Sequence, residues 1–193
     1  MDCVKKYYNE HAQEYAQKTV EVFDLKALEL FVDSIPQGSK VLDVGTGSGR
    51  DALYFKDHGF DVEAIDISSE LCEIASQRLN QQVYKKSVLD IEDVNVYGGV
   101  WCYASLLHLQ GEDIQKSIDL IYKSLVKGGC LFMTFKHGET DGVTHCGRFY
   151  FDMNYERLKK FEMNKWQTTQ VWIEPCKRQG SNRPDWFCIL LKK

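Results

Sequence analysis

The stretch "VLDVGTGSGRD", residues 41–51, joins a short apolar run to three glycines at alternate positions. Gly45, Gly47 and Gly49 follow directly after Val44, as expected for a loop that leaves the end of a buried strand. Glycine permits positive φ angles there and lets a ligand approach the backbone amides closely. The stretch therefore predicts a nucleotide-type ligand at the carboxyl end of a parallel sheet.

The spacing of this loop excludes two common nucleotide loops. A P-loop requires Gly-Lys-Ser/Thr, which does not follow, and the dinucleotide fingerprint requires a glycine where Arg50 stands. Asp43, two residues before the first glycine, would repel a pyrophosphate and would suit an ammonium group. S-adenosylmethionine carries an ammonium and a sulfonium but no phosphate, so the loop favours it over the other two ligands.

Two further acids occur where later strands are predicted to end. Asp66 follows Gly45 by 21 residues, the usual position for a carboxylate that accepts both ribose hydroxyls. Asp90, in "SVLDIE", is predicted to end the third strand and to accept from the adenine amino group, with Ile67 and Ile91 beside the ring. Asp43 could instead only stabilise the turn, and Asp66 could only cap the helix that follows.

Strand and helix patterns alternate along most of the chain. Helices are predicted over 4–18, 22–34, 48–58, 68–79, 112–126 and 154–161, with "KGG" (127–129) as the cap that ends the fifth of them. Strands are predicted over 40–44, 60–67, 82–88, 98–104, 130–136, 166–173 and 186–193. This alternation predicts an α/β fold with a mostly parallel sheet, and the last two strands predict an antiparallel hairpin at its edge.

Composition limits the partners and the compartment. The chain has 193 residues, a formal charge of −4 and no broad excess of basic residues, which argues against nucleic acid as a partner. Its beginning lacks the apolar segment of a signal peptide, and no window is apolar enough to span a membrane. The seven cysteines are scattered without metal-site spacing, which predicts reduced thiols, no metal site and a cytoplasmic protein.

The motifs resemble, in order and spacing, those of the class I S-adenosylmethionine-dependent methyltransferases. They are "VLDVGTGSGRD", "AIDISSELCEIA", "SVLDIE", "VWCYASLLHL" and "LVKGGCLFMTFK", and they cover residues 41 to about 136. The resemblance implies a Rossmann-like three-layer sandwich around a seven-stranded sheet of order 3-2-1-4-5-7-6. It also implies a single domain over 1–193, with a helical cap (1–36), a cofactor-binding core (37–136) and acceptor-side loops with the terminal hairpin (137–193).

The same resemblance assigns roles to individual residues. Gly45, Thr46 and Gly47 would line the methionine part of the cofactor, Asp66 would hold the ribose and Asp90 the adenine, and the carbonyl of Ala104 would accept from the ammonium. The N-terminal helix resembles one that closes over the cofactor in small members of the family. It would bring Tyr15 to the cofactor and Tyr8 to the acceptor.

For the acceptor, His108 in "ASLLHL" is the candidate general base, since an ordinary histidine pKa near 6.5 suits proton removal near neutral pH. Arg148 and Tyr150 are predicted to contact the acceptor. Lys136 and His137, which end the fifth strand, could join them. A pocket with Lys136, Arg148 and Arg183 would favour an anionic small molecule such as a carboxylate, although these charges could also belong to solvated loops. The base-methylating signature [ND]PP[YF] does not occur after the fourth strand, and Cys102 is not preceded by the proline of the RNA cytosine enzymes.

These features predict transfer of a methyl group from S-adenosylmethionine to an oxygen, nitrogen or sulfur atom of a small-molecule acceptor. Two alternatives remain open: an RNA or protein methyltransferase, and a regulatory protein that binds S-adenosylmethionine without transfer. A macromolecular enzyme should gather Lys177, Arg178, Arg183 and Arg148 on one basic surface. A non-catalytic binder should show a sealed cavity. The chain could act as a monomer or a homodimer.

Overall fold

A computed structural model describes residues 2–22, 24–176 and 184–193 of the chain. The strands are β1 (Lys40–Val44), β2 (Asp61–Asp66), β3 (Tyr84–Lys85), β4 (Tyr97–Cys102), β5 (Leu125–His137), β6 (Asp141–Val143), β7 (Phe149–Met153), β8 (Gln167–Glu174) and β9 (Trp186–Lys192). The helices are α1 (Asp2–Glu10), α2 (Ala12–Thr19), α3 (Leu25–Ser34), α4 (Arg50–Asp57), α5 (Ser69–Leu79), α6 (Gly111–Ser124) and α7 (Tyr155–Leu158).

The central sheet runs β3-β2-β1-β4-β5-β9-β8. The first five strands are parallel, whereas β9 pairs antiparallel with both β5 and β8. This arrangement confirms the predicted α/β fold and the C-terminal hairpin, whereas the strand order differs in detail because the sheet has nine strands. The sequence did not indicate β6 and β7, a short antiparallel ribbon whose second strand extends the end of β5 through Lys136 and His137.

Helices cover both faces of the sheet, so the strands are buried on both sides. On one face α3, α4 and α5 pack with residues such as Phe31, Phe55 and Trp101, and on the other face α6 packs with residues such as Ile118 and Leu131. Alternate residues of each strand therefore enter different cores, as the pleat requires. Within the described residues no helix is long and apolar enough to cross a membrane.

Several predicted boundaries differ from the structure, and three of them have a clear structural cause. The helix predicted over 4–18 is divided at His11, whose ring Nδ1 lies 2.9 Å from the Tyr7 carbonyl oxygen. The helix α6 ends at Ser124 without a glycine cap, because the N–H groups of Asn95 and Val96 bond the carbonyls of Lys123 and Ser124. "KGG" already belongs to β5.

The third boundary concerns the third strand, which contains only Tyr84 and Lys85. The chain leaves the sheet there and forms a 3₁₀ turn over Val88–Asp90. Ser87 caps this turn by accepting from the Leu89 N–H, and the carboxylate of Asp90 accepts from the Ser87 N–H. Asp90 therefore lies in a capping box beyond the strand, not at the strand end.

Candidate active site

The glycine loop between β1 and α4 is tied to β2. The N–H groups of Gly45 and Thr46 both donate to the Ile65 carbonyl, at 2.9 and 3.1 Å. Gly45 has a φ of +71°, and a Cβ there would lie 2.5 Å from the Cβ of Ser105. Because both the backbone and the space require glycine, the loop brings its amides close to the residues that follow β4.

Asp43, at the end of β1, is almost fully buried beneath this loop. Its Oδ2 accepts a hydrogen bond of 2.6 Å from the Thr46 hydroxyl. Burial, with the Asp51 carboxylate nearby, raises the pKa of Asp43 to about 8, although the Thr46 bond opposes this rise. Asp43 therefore stabilises the turn. It is also a buried carboxyl group whose ionised form a bound ammonium group would favour by lowering its pKa.

Asp66, the last residue of β2, holds the loop from the other side. Its Oδ2 accepts from the Gly47 N–H and its Oδ1 accepts from the Ser68 N–H, both at 2.9 Å. Burial raises the pKa of this carboxyl group. The helix cap is Ser68, whose hydroxyl accepts from the Leu71 N–H, so Asp66 is not the cap. Each carboxylate oxygen keeps a second acceptor position for a ligand hydroxyl.

Two adjoining cavities meet at the glycine loop. The smaller, about 80 Å³, is lined by Asp66, Ile67 and Lys86–Val88, among others. The larger, about 630 Å³, is lined by residues that include Asp43, Thr46, Lys136, Arg148 and Tyr150. The cavities share a wall made by Tyr8, Tyr15, Gly45, Gly47, Ala104 and His108.

The helices α1 and α2 place two tyrosines in this shared wall. The rings of Tyr8 and Tyr15 meet edge to face, with centroids 5.2 Å apart, and Tyr15 also lies against Gly47. Ser68 donates to the Asn9 side chain at 2.7 Å, and Arg50 donates to the carbonyl of Thr19 at 3.2 Å. These bonds anchor α1 to the start of α5 and α2 to the start of α4. As predicted, the N-terminal segment lies over the glycine loop.

His108 forms the centre of a hydrogen-bonded chain. Its Nδ1 lies 2.8 Å from the Phe149 carbonyl oxygen, so Nδ1 carries the proton and Nε2 accepts from the Tyr8 hydroxyl at 3.0 Å. Arg148 donates through Nη1 to the same hydroxyl at 3.3 Å. Burial lowers the pKa of His108 to about 4, so the expectation of a pKa near 6.5 is wrong. His108 is neutral at physiological pH and fixes the phenol of Tyr8.

Of the other predicted site residues, Ala104 lies at the cavities, whereas Asp90 and Ile91 do not. Ala104 lines both cavities in a left-handed conformation (φ +54°), although β4 ends two residues before it. Asp90 is exposed and Ile91 is buried in the core, and neither lines either cavity, so the structure does not support their adenine roles. Lys177, Arg178 and Arg183 lie outside the described residues.

Sequence reasoning missed several residues of the site. Ser87 and Val88 line the smaller cavity at the place expected for Asp90, because the third strand ends before them. The ribbon β6–β7 brings Cys146 to Arg148, and α1 brings Tyr7. If the third strand had been predicted to end before Ser87, this residue would have been placed in the loop that lines the cavity. Arg148 contacts Tyr8, which is 140 residues away in the sequence, and no local sequence pattern indicates this contact.

A family model described as a methyltransferase domain matches residues 41–129. This range contains the glycine loop, Asp66, the turn after β3 and the segment from Ala104 to His108, which together build most of the smaller cavity. This match covers just under half of the chain and, with the shared fold described below, supports the class I S-adenosylmethionine-dependent methyltransferase family. The predicted family assignment is therefore confirmed.

Two curated proteins that the chain resembles carry related names. The chain is 32% identical over 119 residues to phosphoethanolamine N-methyltransferase 2 of Caenorhabditis elegans, over 58% of this chain and 26% of that protein. It is 28% identical over 106 residues to phosphoethanolamine N-methyltransferase of Plasmodium falciparum (isolate 3D7), over 51% of this chain and 39% of that protein. Each match thus spans less than half of the relative's length.

The fold is shared over the whole chain by a solved structure. The Burkholderia thailandensis 1,6-didemethyltoxoflavin-N1-methyltransferase, solved with 1,6-didemethyltoxoflavin and S-adenosylhomocysteine, superposes with a TM-score of 0.82. The match covers 100% of this chain and 88% of that one, at 15% identity. At this identity the likeness establishes the common fold of the two proteins.

Proposed function

We propose that this methyltransferase transfers a methyl group from S-adenosylmethionine to an oxygen, nitrogen or sulfur atom of a small molecule. The observation that carries the proposal is the shared wall between the two cavities. A donor with its adenosine part in the smaller cavity would extend its methionine part along the shared wall towards Asp43, and would meet an acceptor in the larger cavity at Tyr8, Gly47 and Ala104. Such alignment supplies most of the catalysis in an in-line displacement.

The residues of the donor side fit S-adenosylmethionine. Asp66 offers two carboxylate oxygens to the ribose hydroxyls, and the buried Asp43 offers a carboxylate to the ammonium. Val44, Ile67 and Leu71 are apolar lining residues beside Ser87 and suit an adenine ring. When bound, the donor supplies an activated methyl group on a sulfonium. The protein's task is then to orient the acceptor and to remove its proton.

On the acceptor side, the phenol of Tyr8 is the group best placed to receive that proton. Tyr8 donates its own proton to Nε2 of His108, so a proton accepted by the phenolic oxygen can be passed on to the imidazole. Because burial lowers the pKa of His108 to about 4, the imidazole is a weak base and would hold this proton only transiently before releasing it to solvent. His108 thus acts through Tyr8, and Nδ1–H bonded to the Phe149 carbonyl keeps Nε2 available.

Two observations favour a small acceptor over the alternatives. The larger cavity, about 630 Å³, leaves room beyond the transferred methyl group, which a non-catalytic binder does not need. The two curated relatives and the Burkholderia enzyme are named for small-molecule acceptors. We propose a single domain over 1–193 whose cap, core and acceptor-side regions are 1–36, 37–136 and 137–193, and a cytoplasmic protein that needs neither a membrane nor nucleic acid.

Calorimetry with S-adenosylmethionine and S-adenosylhomocysteine tests the donor assignment. We expect saturable binding that Asp66→Ala abolishes, whereas Asp57→Ala, at an exposed position of α4, retains it. A parallel screen with methyl-labelled donor against cell metabolites and total RNA tests the acceptor. Wild-type protein that binds neither cofactor would overturn the proposal, and label transferred only to RNA would overturn the small-molecule acceptor.

A further inference from the structure

Arg148 is a half-buried cation in the wall of the larger cavity. Its Nε donates to the Cys146 sulfur at 3.3 Å and its Nη1 donates to the Tyr8 hydroxyl at 3.3 Å. Among the residues that the structure describes, no carboxylate lies within ion-pair distance of this guanidinium. A partly buried charge without a counterion is costly, so its persistence in a cavity wall points to an anionic ligand.

Four of the seven carboxylates that line the same cavity pair with other cations. Asp51 pairs with Arg50 at 2.7 Å, and Glu174 pairs with Lys26 at 3.6 Å. Asp141 pairs with Arg157, and Glu14 pairs with Lys18. The other three, Asp24, Asp43 and Asp152, accept hydrogen bonds from Ala27, Thr46 and Thr140. In the described part of the chain none of the seven carboxylates forms an ion pair with Arg148, so an anionic ligand could compensate its charge.

Aromatic rings fix the plane of the guanidinium. Its carbon lies 4.2 Å from the ring centroid of Tyr7, 5.3 Å from that of Tyr150 and 5.6 Å from that of Tyr8. These contacts stabilise the cation through the ring faces but accept none of its N–H groups. A guanidinium has five N–H donors in a rigid fork, and the bonds to Cys146 and Tyr8 use two of them. The remaining donors suit a planar or tetrahedral oxyanion.

We propose that Arg148 forms an anion subsite in the acceptor cavity and binds a carboxylate or phosphate group of the methyl acceptor. The inference rests on the proposed function. Because Arg148 also contacts Tyr8 in the wall shared with the donor cavity, the anionic group lies close to the point of transfer. The acceptor is therefore a short molecule in which only a few bonds separate the nucleophilic atom from the anionic group.

Binding of simple anions to protein saturated with S-adenosylhomocysteine tests the subsite without any turnover. Inorganic phosphate, followed by ³¹P NMR line broadening, and acetate, followed by calorimetry, distinguish the two oxyanions. We expect saturable binding of at least one, weakened tenfold or more in Arg148→Gln and partly restored in Arg148→Lys, which keeps the charge but not the fork. Lys116→Gln, an exposed cation on α6, is the matched control and should bind as the wild type does.

Acceptor pairs that differ only in the anionic group supply a second measurement. A short amino acid or phosphorylated amine should be methylated with a kcat/KM at least tenfold above that of its amide or dephosphorylated analogue, and Arg148→Gln should remove this preference. The side-chain hydrogen bonds of Arg148 go to Cys146 and Tyr8 and not to the donor-side carboxylates Asp43 and Asp66, so S-adenosylhomocysteine should bind Arg148→Gln as tightly as wild type. Equal anion binding by wild type and Arg148→Gln, or equal turnover of the paired acceptors, would refute the subsite. If the wild-type protein does not bind S-adenosylhomocysteine, the donor assignment would be refuted instead.

Discussion

Replacing Asp43 by asparagine should remove a pH dependence from donor binding. With a pKa of about 8, roughly nine tenths of the Asp43 carboxyl groups carry a proton at pH 7 in the unliganded protein. A ligand ammonium binds the ionised form, so binding must release that proton. The expected penalty on the dissociation constant is about 100-fold at pH 6, about 11-fold at pH 7 and about twofold at pH 8.

Calorimetric titration of S-adenosylhomocysteine at these three pH values measures the effect. The ratio of the wild-type and Asp43→Asn dissociation constants cancels the titration of the ligand's own amine. The amide oxygen of asparagine can still accept from the Thr46 hydroxyl, which keeps the loop in place. The ratio should fall about ninefold from pH 6 to pH 7, and about 0.9 proton should be released to buffer at pH 7. A ratio independent of pH would show that Asp43 does not become ionised when the ligand binds.

Three further outcomes are expected. The pKa of His108 is about 4 in the folded protein and about 6.5 in the unfolded chain, so between these pH values the unfolded chain binds more protons. The stabilising contribution of neutral His108 should therefore be complete above pH 6.5 and be lost as the pH falls towards 4. The melting temperature of His108→Asn should therefore depend less on pH between 6.5 and 4 than that of the wild type. An equal pH dependence in the two proteins would contradict this prediction. Burial raises the pKa of the Cys146 thiol, but bonds from Thr144 and Arg148 outweigh this and hold it at about 7. Iodoacetamide labelling followed by mass spectrometry should therefore modify Cys146 with a midpoint near pH 7, and Arg148→Met should raise that midpoint. Gly45→Ala should abolish donor binding and lower the melting temperature, because the new Cβ would lie only 2.5 Å from the Cβ of Ser105. Normal donor binding by this variant would show that the loop does not approach Ser105 so closely.

The sequence identified the donor side better than the acceptor side for a physical reason. Asp43, Gly45 and Asp66 stand at fixed distances from buried strands, and hydrophobic periodicity locates such strands well. Asp90 was misplaced because β3 contains only two residues and gives almost no periodic signal. The end of α6 was misplaced because backbone groups from a separate segment replace the glycine cap.

The acceptor side depends on contacts between distant parts of the chain. Tyr8 and Arg148 are 140 residues apart, and His108 and Phe149 are 41 residues apart. The sequence named Tyr8, His108 and Arg148 as separate candidates, but it gave no sign that one hydrogen-bonded chain joins them. The low pKa of His108 could not be predicted either, because it follows from burial under α1 and the ribbon β6–β7.

The position of Tyr8 between the two cavities has a consequence for the order of events in a catalytic cycle. An oxyanion held by Arg148 would restrain Tyr8 through the bond between them, and Tyr8 lines the donor cavity. The donor should therefore enter first and its demethylated product should leave last. Steady-state kinetics should then show an ordered sequential pattern, in which S-adenosylhomocysteine competes with the donor and is non-competitive with the acceptor.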